Sequence, residues 1–367
     1  MGTEEENTLS NLPQDVLQAI LSRLPVKSIL RFRSVSKSWN KMISDPSFLR
    51  MHLQLQHSSH NLFLHNSSNP SNYRTGHISW VKFTKENGQF QHQSRLECPR
   101  PGWHDVCCVC EGVVLVTDHS CNTFMLWNPS TRKETMFWFP YKFENWPFKQ
   151  GLCHDPTTGD FKVVLTSDKY YTVFSCKNNS WAGKRAFQYY SCRRDTDAGI
   201  FIDGVIYWVV MDRARNTREI IYFDPRDDDF KILEKPENIK DELFYVVCLR
   251  GCLSLYYHTR SDKTAVQIWV KEKGRDRNTW NKLMMIENEE PAEWFRPMCL
   301  FENNNILLRL EQWGRFVIYS PGEKTFEECG DINDPSLQVK LFPCGESLLF
   351  PLQNLRRPKR KNMRDTY

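Results

Sequence analysis

The chain has 367 residues, of which 40% are hydrophobic and 25% charged, with a formal net charge of +5 at pH 7. This composition is typical of a folded globular protein and argues against extensive disorder or a collagen-like architecture. No apolar run approaches the roughly 18 residues that a membrane-spanning helix needs. The acidic start MGTEEEN has no apolar signal region, so we expect an intracellular protein of the nucleus or cytoplasm.

The first predicted elements are short helices within residues 9–55. From Leu12 to Leu24 the apolar residues recur at helical spacing, and Pro25 ends the segment. Two more short helices and the start of a fourth at Pro46 follow. A unit this small buries little surface, so we expect it to need a partner. Basic residues around the apolar ones favour an acidic partner surface: Lys27, Arg31, Arg33, Lys37 and Lys41.

Residues 12–48, LPQDVLQAILSRLPVKSILRFRSVSKSWNKMISDPSF, resemble an F-box over its whole length without a gap. The resemblance implies that this module binds a Skp-type adaptor and, through it, a cullin that carries the ubiquitin-transfer machinery. By motif position it implies adaptor contacts for Leu12, Pro13, Ile20, Leu21, Leu24, Pro25, Val35, Trp39 and Ile43. For any one of these residues the alternative is a place in the module's own core, as for Val16, Leu30 and Phe32.

The chain has 13 cysteines, three of them within residues 107–110. They are scattered through apolar runs and odd in number, which predicts reduced core thiols. In a regular strand Cys108 and Cys110 share one face and Cys107 lies on the other. Although Cys153 and His154 follow, no second CxxC completes a zinc site, so we expect no metal and no cofactor.

After about residue 57 the pattern changes to alternating strands, and a repeat appears. An apolar strand runs into a polar turn and is followed by a strand with an aromatic residue. Pro129, Pro225 and Pro321 mark three copies 96 residues apart, and unmarked copies near Lys177 and Lys273 halve the period to 48. Counting back reaches position 81, which makes six units.

Each unit also holds a second hairpin signal, with Gly112, Gly204 and Gly251 in tight turns that need positive φ. Four strands in about 48 residues predict a β-propeller blade. We therefore expect a six-bladed β-propeller, with a last strand pair at 339–350 completing the first blade. A β-sandwich is the alternative, since strands at this spacing suit both architectures.

Four stretches of this region resemble the F-box-associated domain of plant F-box proteins. They are LWNPSTRK at 126–133, GLCHDPTTGDFKVV at 151–164, FIDGVIYWV and IWVKEKGRDRNTW. The resemblance implies a plant origin and a kelch-like propeller that binds proteins. The predicted organisation is a disordered N-terminus at 1–8, an F-box at 9–55, a propeller at 56–352 and a basic tail at 353–367.

The basic tail accounts for the charge of the whole chain. Residues 354–367 hold six basic residues and one acidic residue, so the remainder lacks the basic excess typical of nucleic-acid-binding proteins. The tail sequence RRPKRK is typical either of a nuclear-import signal or of a solubilising end.

Candidate catalytic residues are sparse, and the polar ones have simpler explanations. His154 and Asp155, like His104, Asp105 and His119, lie at predicted turns, where an Asp side chain commonly accepts turn hydrogen bonds. Asp227, Asp228 and Asp229 lack the alternating ligands of an EF-hand, so we expect a solvated hairpin turn. Loop tryptophans are candidate binding anchors or rings wedged between blades: Trp103, Trp138, Trp146, Trp294 and Trp313.

The resemblance and the absence of a catalytic motif predict a non-enzymatic, substrate-recognition subunit of a Skp–cullin–F-box ubiquitin ligase. Its F-box would bind the adaptor, and its propeller would bind a target protein for ubiquitination and proteasomal degradation. The alternative is a non-degradative regulatory binding protein or scaffold assembled through the adaptor. The target and its binding residues carry no signature in the sequence.

Overall fold

The computed structural model describes residues 12–56, 61–68, 77–83, 90–96, 100, 103, 105–118, 122–140, 149–167, 169–190, 198–237, 239, 243–259, 265–274, 278–287, 294–310, 315–328, 337–343 and 345–351. Between residues 56 and 96 it describes the backbone alone. The predicted N-terminal segment 1–8 and the basic tail 353–367 lie outside these residues. None of the helices in the described part of the chain has the length and apolar character that crossing a bilayer requires.

Four short helices form the N-terminal module, as the sequence pattern predicts. They are α1 (Gln14–Leu21), α2 (Val26–Phe32), α3 (Lys37–Ile43) and α4 (Pro46–Gln56). A proline stands at or just before the start of three of them, where its missing N–H group is not needed. The third begins at a serine cap, since the Ser36 hydroxyl accepts the N–H of Trp39 at 3.1 Å.

Twenty-six strands follow in six antiparallel sheets, counted over the residues that the structure describes. The first sheet begins with β1 (Asn61–Ser68), β2 (His77–Phe83) and β3 (Phe90–Leu96). The second contains β4 (Asp105–Cys110), β5 (Val113–Thr117), β6 (Thr123–Asn128) and β7 (Lys133–Trp138). The third contains β8 (Lys149–Asp155), β9 (Asp160–Thr166), β10 (Tyr170–Ser175), β11 (Ser180–Trp181) and β12 (Arg185–Ala186).

The remaining sheets repeat the same plan. The fourth contains β13 (Tyr189–Tyr190), β14 (Ile200–Ile202), β15 (Val205–Asp212), β16 (Arg218–Asp224) and β17 (Asp229–Leu233). The fifth contains β18 (Phe244–Leu249), β19 (Cys252–His258), β20 (Ala265–Lys271) and β21 (Trp280–Glu287). The sixth contains β22 (Phe295–Leu300), β23 (Ile306–Leu310), β24 (Phe316–Ser320) and β25 (Thr325–Glu328). The last strand, β26 (Leu337–Pro343), joins the first sheet.

This succession of small antiparallel sheets is consistent with a β-propeller, and the all-β class is confirmed. The six copies of the repeat fall on the hairpins β2–β3, β6–β7, β10–β11, β16–β17, β20–β21 and β24–β25. The glycine turns are confirmed too: Gly112, Gly204 and Gly251 have φ of 79°, 79° and 69°, each after a residue that also has positive φ. Two consecutive positive φ angles are typical of the type I′ hairpin. A closed ring of six blades stays a prediction.

The C-terminal end departs from the prediction of a strand pair at 339–350. A single strand, β26, pairs antiparallel with β1, from Leu62 opposite Pro343 to Ser68 opposite Leu337. Residues 345–350 form no strand; residues 346–349 contact the helical module and the second sheet.

The cysteines of β4 also depart from simple alternation. The register between β4 and β5 shifts between Val106 and Cys108, where a β-bulge inserts Cys107. The extra residue changes the phase of the strand, so Cys107, Cys108 and Cys110 all lie in one buried cluster while Val106 lies in another. The prediction that Cys107 lies on the opposite face is therefore wrong.

The aspartate turn between β16 and β17 is not simply solvated. Lys162 of the third sheet donates to Asp228 Oδ1 at 2.7 Å and to the carbonyl of Pro225 at 2.6 Å. The Tyr171 hydroxyl and the Arg185 guanidinium donate to the carbonyl of Asp228 at 3.1 and 2.6 Å. The turn therefore holds the third and fourth sheets together.

Candidate functional site

Several large apolar side chains of the helical module are exposed. Leu12 and Val16 are each 40% exposed, Ile20 is 48% exposed and Val35 is 61% exposed. Val16 and Ile20 lie one turn apart on α1 and share a face. Leu55 on α4 is also exposed, at 45%. We call the other four, Leu12, Val16, Ile20 and Val35, the exposed apolar residues of the module. Burial of such residues against another protein is favourable, so they point to a partner.

The nine adaptor contacts implied by the F-box resemblance differ in their exposure. Pro13 and Pro25 are exposed like Leu12, Ile20 and Val35, and Leu24 and Trp39 are half-buried. In contrast, Leu21 and Ile43 are 2% and 0% exposed and lie in the module's own core. A contact between these two side chains and an adaptor stays a prediction, and the geometry favours the core alternative for both.

Val16 was expected in the core of the module, but the structure shows it exposed. Its position one turn before Ile20, a predicted contact residue, is the sequence signal that indicates the exposed face instead. Phe32 is half-buried and packs edge-on against Trp39, with ring centroids 5.5 Å apart.

Basic side chains are exposed on α2 and α3, the helices that precede and follow Val35. Lys27, Arg31, Lys37 and Lys41 are all exposed, and none forms a salt bridge with a carboxylate in the described part of the chain. Arg33 is different, because it is half-buried and lies close enough to Lys133 of β7 for the two charges to interact. Burial lowers the pKa of Lys133, and the charge of Arg33 lowers it further. Arg33 therefore lies near the β domain rather than among the freely exposed cations.

The helical module packs directly on the β domain. Leu53 of α4 joins the buried cluster of the second and third sheets, which includes Val113 and Leu165. His52, fully buried beside it, contacts the carbonyl of Leu24 through Nε2 at 3.0 Å. Burial lowers the pKa of His52, although the Leu24 carbonyl and the Glu346 carboxylate act in the opposite direction.

The candidate catalytic residues have structural roles where they are described. Asp155 Oδ1 accepts the N–H and hydroxyl of Thr157 at 2.9 and 2.6 Å, and its Oδ2 accepts the Thr158 hydroxyl at 2.8 Å. Burial raises the pKa of Asp155, but these hydrogen bonds lower it more, so the pKa lies below its ordinary value. His154 Nδ1 lies 2.7 Å from Glu111 Oε2. His104, His119 and the side chain of Asp105 lie outside the described residues.

The buried thiols are poor nucleophiles. Burial raises the pKa of Cys108, Cys110, Cys153 and Cys176 well above the ordinary value of 9.0. At neutral pH these thiols are protonated, and the thiolate is the reactive form. Of the described cysteines, five are buried in the core as reduced thiols, as the sequence predicts, and Cys248, Cys252 and Cys299 are half-buried.

The loop tryptophans divide between surface and core. Trp138 is 61% exposed in β7, and Trp294 is 38% exposed beside the ring of His258, with centroids 4.6 Å apart. Trp103 is half-buried against a core cluster. Trp146 and Trp313 lie outside the described residues. Trp138 and Trp294 remain the candidate anchors for a partner.

Comparison with known proteins gives two family models that cover most of the chain. A model of the F-box domain matches residues 9–51, and a model of the F-box associated beta propeller domain matches residues 50–308. The propeller model is of the F-box-associated type, which replaces the kelch-like description.

Relatives and solved structures were compared as well. An F-box/kelch-repeat protein of Arabidopsis thaliana is 24% identical over 322 residues, covering 83% of this chain and 87% of that protein. An F-box protein of the same plant is 27% identical and covers 91% of this chain and 89% of its own length. A chain of the nidogen/laminin complex superimposes with a TM-score of 0.42 and 12% identity, over 76% of this chain and 98% of that chain.

Proposed function

The chain belongs to the plant F-box proteins that carry an F-box-associated β-propeller domain, and we propose that it is the target-recognition subunit of a Skp–cullin–F-box ubiquitin ligase. The helical module binds the Skp-type adaptor, which binds a cullin. The propeller binds a target protein, which is ubiquitinated and degraded by the proteasome. The chain contributes no catalytic group, and it acts by raising the effective concentration of target lysines near the ubiquitin donor.

The observation that carries this proposal is the group of exposed apolar residues on a module that matches the F-box model. Four large apolar side chains on a helical unit of this size are costly to leave in water, and an adaptor would remove them from it. The exposed basic residues of α2 and α3, which are Lys27, Arg31, Lys37 and Lys41, add attraction for an acidic adaptor surface. Leu12, Pro13, Val16, Ile20, Pro25 and Val35 are the direct contacts we propose, with Leu24 and Trp39 at the edge.

We propose that the target binds to the side of the propeller opposite the module. The segment 345–351, which packs on the module through Leu348, lies beside the turn at Gly112 and accepts hydrogen bonds from Asn128 at the end of β6. Because strands alternate in direction, the β4–β5 and β6–β7 turns lie at one end of the second sheet and the β5–β6 connection at the other. On this proposal the target binds at the end of the second sheet where β5 ends and β6 begins, away from the contact with segment 345–351.

The test is copurification of the full chain with the adaptor after substitution of exposed residues. We expect Ile20→Glu, and the double substitution Leu12→Ala with Pro13→Ala, to abolish adaptor binding while the thermal unfolding midpoint stays unchanged. Leu55→Glu is the matched control, since Leu55 is 45% exposed on α4 and outside the proposed contact surface. Undiminished adaptor binding by Ile20→Glu would refute this docking surface.

The non-degradative alternative is separated by following a bound partner. An adaptor-deficient Ile20→Glu chain should retain targets that the intact chain removes, and proteasome inhibition should make those targets accumulate with the intact chain. A partner whose amount responds to neither change would identify a scaffold instead.

The proposal also includes the domain boundaries and the location of the protein. We propose an F-box at 9–55, a propeller at 56–352 and terminal segments at 1–8 and 353–367, in a protein of the nucleus or cytoplasm.

A further inference from the structure

Residues Gly345–Pro351 lie between the helical module and the second sheet. Ser347, Leu348 and Leu349 are 0%, 4% and 8% exposed. Leu348 packs in the core of the module, and Leu349 packs in the cluster of the β domain. Two consecutive side chains of one segment therefore belong to two different hydrophobic cores.

The segment also makes polar contacts with both sides. Glu346 Oε2 accepts the N–H of Val26 at 3.1 Å, at the start of α2, where the N–H groups have no partner within the helix. On the other side the Asn128 amide donates to the carbonyls of Ser347 and Leu349 at 2.9 and 2.7 Å. Asn128 is fully buried, so these donors would be costly to leave unpaired.

Asn128 is itself held in place. Its Oδ1 accepts the N–H of Thr131 at 3.0 Å inside the β6–β7 turn. The side chain thus uses its oxygen for its own turn and its nitrogen for the C-terminal segment. Two residues before the segment, β26 ends at Pro343, where it pairs with Leu62 of the first sheet. The contact therefore joins two parts of the chain that are each held by a sheet: Asn128 at the end of β6, and the segment that follows β26.

We propose that Gly345–Pro351 is a clasp that completes the core of the helical module and fixes the module to the propeller, so that the two move as one body. The module is not a tethered adaptor-binding unit in this chain, because Leu348 belongs to its core. If the proposed function holds, the clasp also sets the orientation of the target relative to the adaptor. This role in orientation is the part of the inference that rests on the proposed function.

The experiment compares backbone hydrogen exchange in full-length variants. Asn128→Asp keeps the oxygen that accepts from Thr131 but places a carboxylate oxygen against two carbonyls, and Asn178→Asp is its matched control in the exposed turn of the third sheet. Leu348→Asp introduces a charge into the core of the module, and Leu55→Asp puts the same charge at an exposed site of α4.

We expect the amides of α1 to α4 to exchange about tenfold faster or more in Asn128→Asp and Leu348→Asp. The two controls should stay within about twofold of the unsubstituted chain. Amides of the fifth sheet, which is remote from the clasp, are the internal reference. Equal protection of the helices in Asn128→Asp and Asn178→Asp would overturn the clasp. Loss of protection in the fifth sheet to the same extent as in α1 to α4 would show general destabilisation and would also overturn the clasp.

Adaptor binding by the same variants separates this inference from the proposed function. We expect the clasp variants to bind the adaptor more weakly in proportion to the lost protection of α1 to α4. If the unsubstituted chain binds no adaptor but the exchange pattern is as expected, the proposed function fails and the clasp stands. If the chain binds adaptor and the exchange pattern is unchanged by Asn128→Asp, the clasp fails and the function stands.

Discussion

Gly112 lies so close to Ser347 that a Cβ at residue 112 would be 2.4 Å from Ser347 Cβ and 2.9 Å from the carbonyl oxygen of Gly345. Gly112 also has a φ of 79°. Gly251 stands at the same place in the fifth sheet with a φ of 69°, and a Cβ there would meet no atom within 4 Å. The two glycines therefore share a backbone requirement and differ in the approach of the C-terminal segment.

This pair gives the first prediction. Gly112→Ala and Gly251→Ala both introduce the backbone strain of positive φ, which costs about 1 kcal/mol. Gly112→Ala should destabilise the chain by about 1–3 kcal/mol more, because the methyl group also overlaps the clasp. Urea unfolding of the two variants measures the difference. Equal free energies of unfolding would mean that the segment moves aside freely.

Leu21 and Ile20 are neighbours in α1 with opposite surroundings, since Leu21 is 2% exposed and Ile20 is 48% exposed. Leu21→Ala should lower the free energy of unfolding by about 2–5 kcal/mol, because it leaves a cavity in the module's core. Ile20→Ala should change stability by less than about 1 kcal/mol. Adaptor affinity, measured by calorimetry, should fall in Ile20→Ala without loss of helix content. A large stability loss in Ile20→Ala, or normal stability with lost adaptor affinity in Leu21→Ala, would contradict the division into core and contact residues.

His52 should make stability depend on pH. Burial lowers its pKa below the ordinary value of 6.5 in the folded chain, so below pH 6.5 the unfolded chain binds a proton that the folded chain does not. Stability is therefore fully present above pH 6.5 and is lost as the pH falls, by up to about 1.4 kcal/mol per pH unit.

His52→Gln removes the titrating group and retains a donor for the Leu24 carbonyl. Urea unfolding between pH 8 and about pH 5 should give a shallower slope for this variant, by up to one proton. Burial also lowers the pKa of His258. Because His258 is present in the unsubstituted chain and in His52→Gln, the difference between their pH slopes reports on His52 alone. Parallel slopes would show that His52 is protonated equally in the folded and unfolded chains.

Lys162 and Lys231 both pair with aspartates of the β16–β17 turn. The Lys162–Asp228 pair has side-chain exposures of 13% and 29%, whereas the Lys231–Asp227 pair has 43% and 48%. Lys162→Met should cost about 1–3 kcal/mol, because it leaves the Pro225 carbonyl and Asp228 without their charged donor. Lys231→Met should cost less than about 1 kcal/mol, as is usual for exposed pairs. Chemical unfolding of both variants compares the two pairs, and equal losses would refute a bond that joins neighbouring sheets.

The helices and the hairpin repeat could be predicted because their signals are local. The prolines at 13, 25 and 46 and the apolar spacing between them define helix starts within a few residues of where the structure has them. The glycines at 112, 204 and 251 indicate turns because few other residues tolerate the required φ. The bulge at Cys107 had no comparable signal, since a single inserted residue leaves the composition of the strand unchanged.

The sequence by itself determined the F-box pattern and the all-β character of the larger domain, because each depends on residues within one or two elements, and it determined the 48-residue period because that local pattern recurs along the chain. Only the tertiary structure decided that Ile20 is exposed while Leu21 is buried, and that Leu348 belongs to the core of the helical module. The contact between Glu346 and Val26 joins residues 320 positions apart. A sequence pattern cannot predict such a contact, since the contact forms only when β26 pairs with β1 of the first sheet.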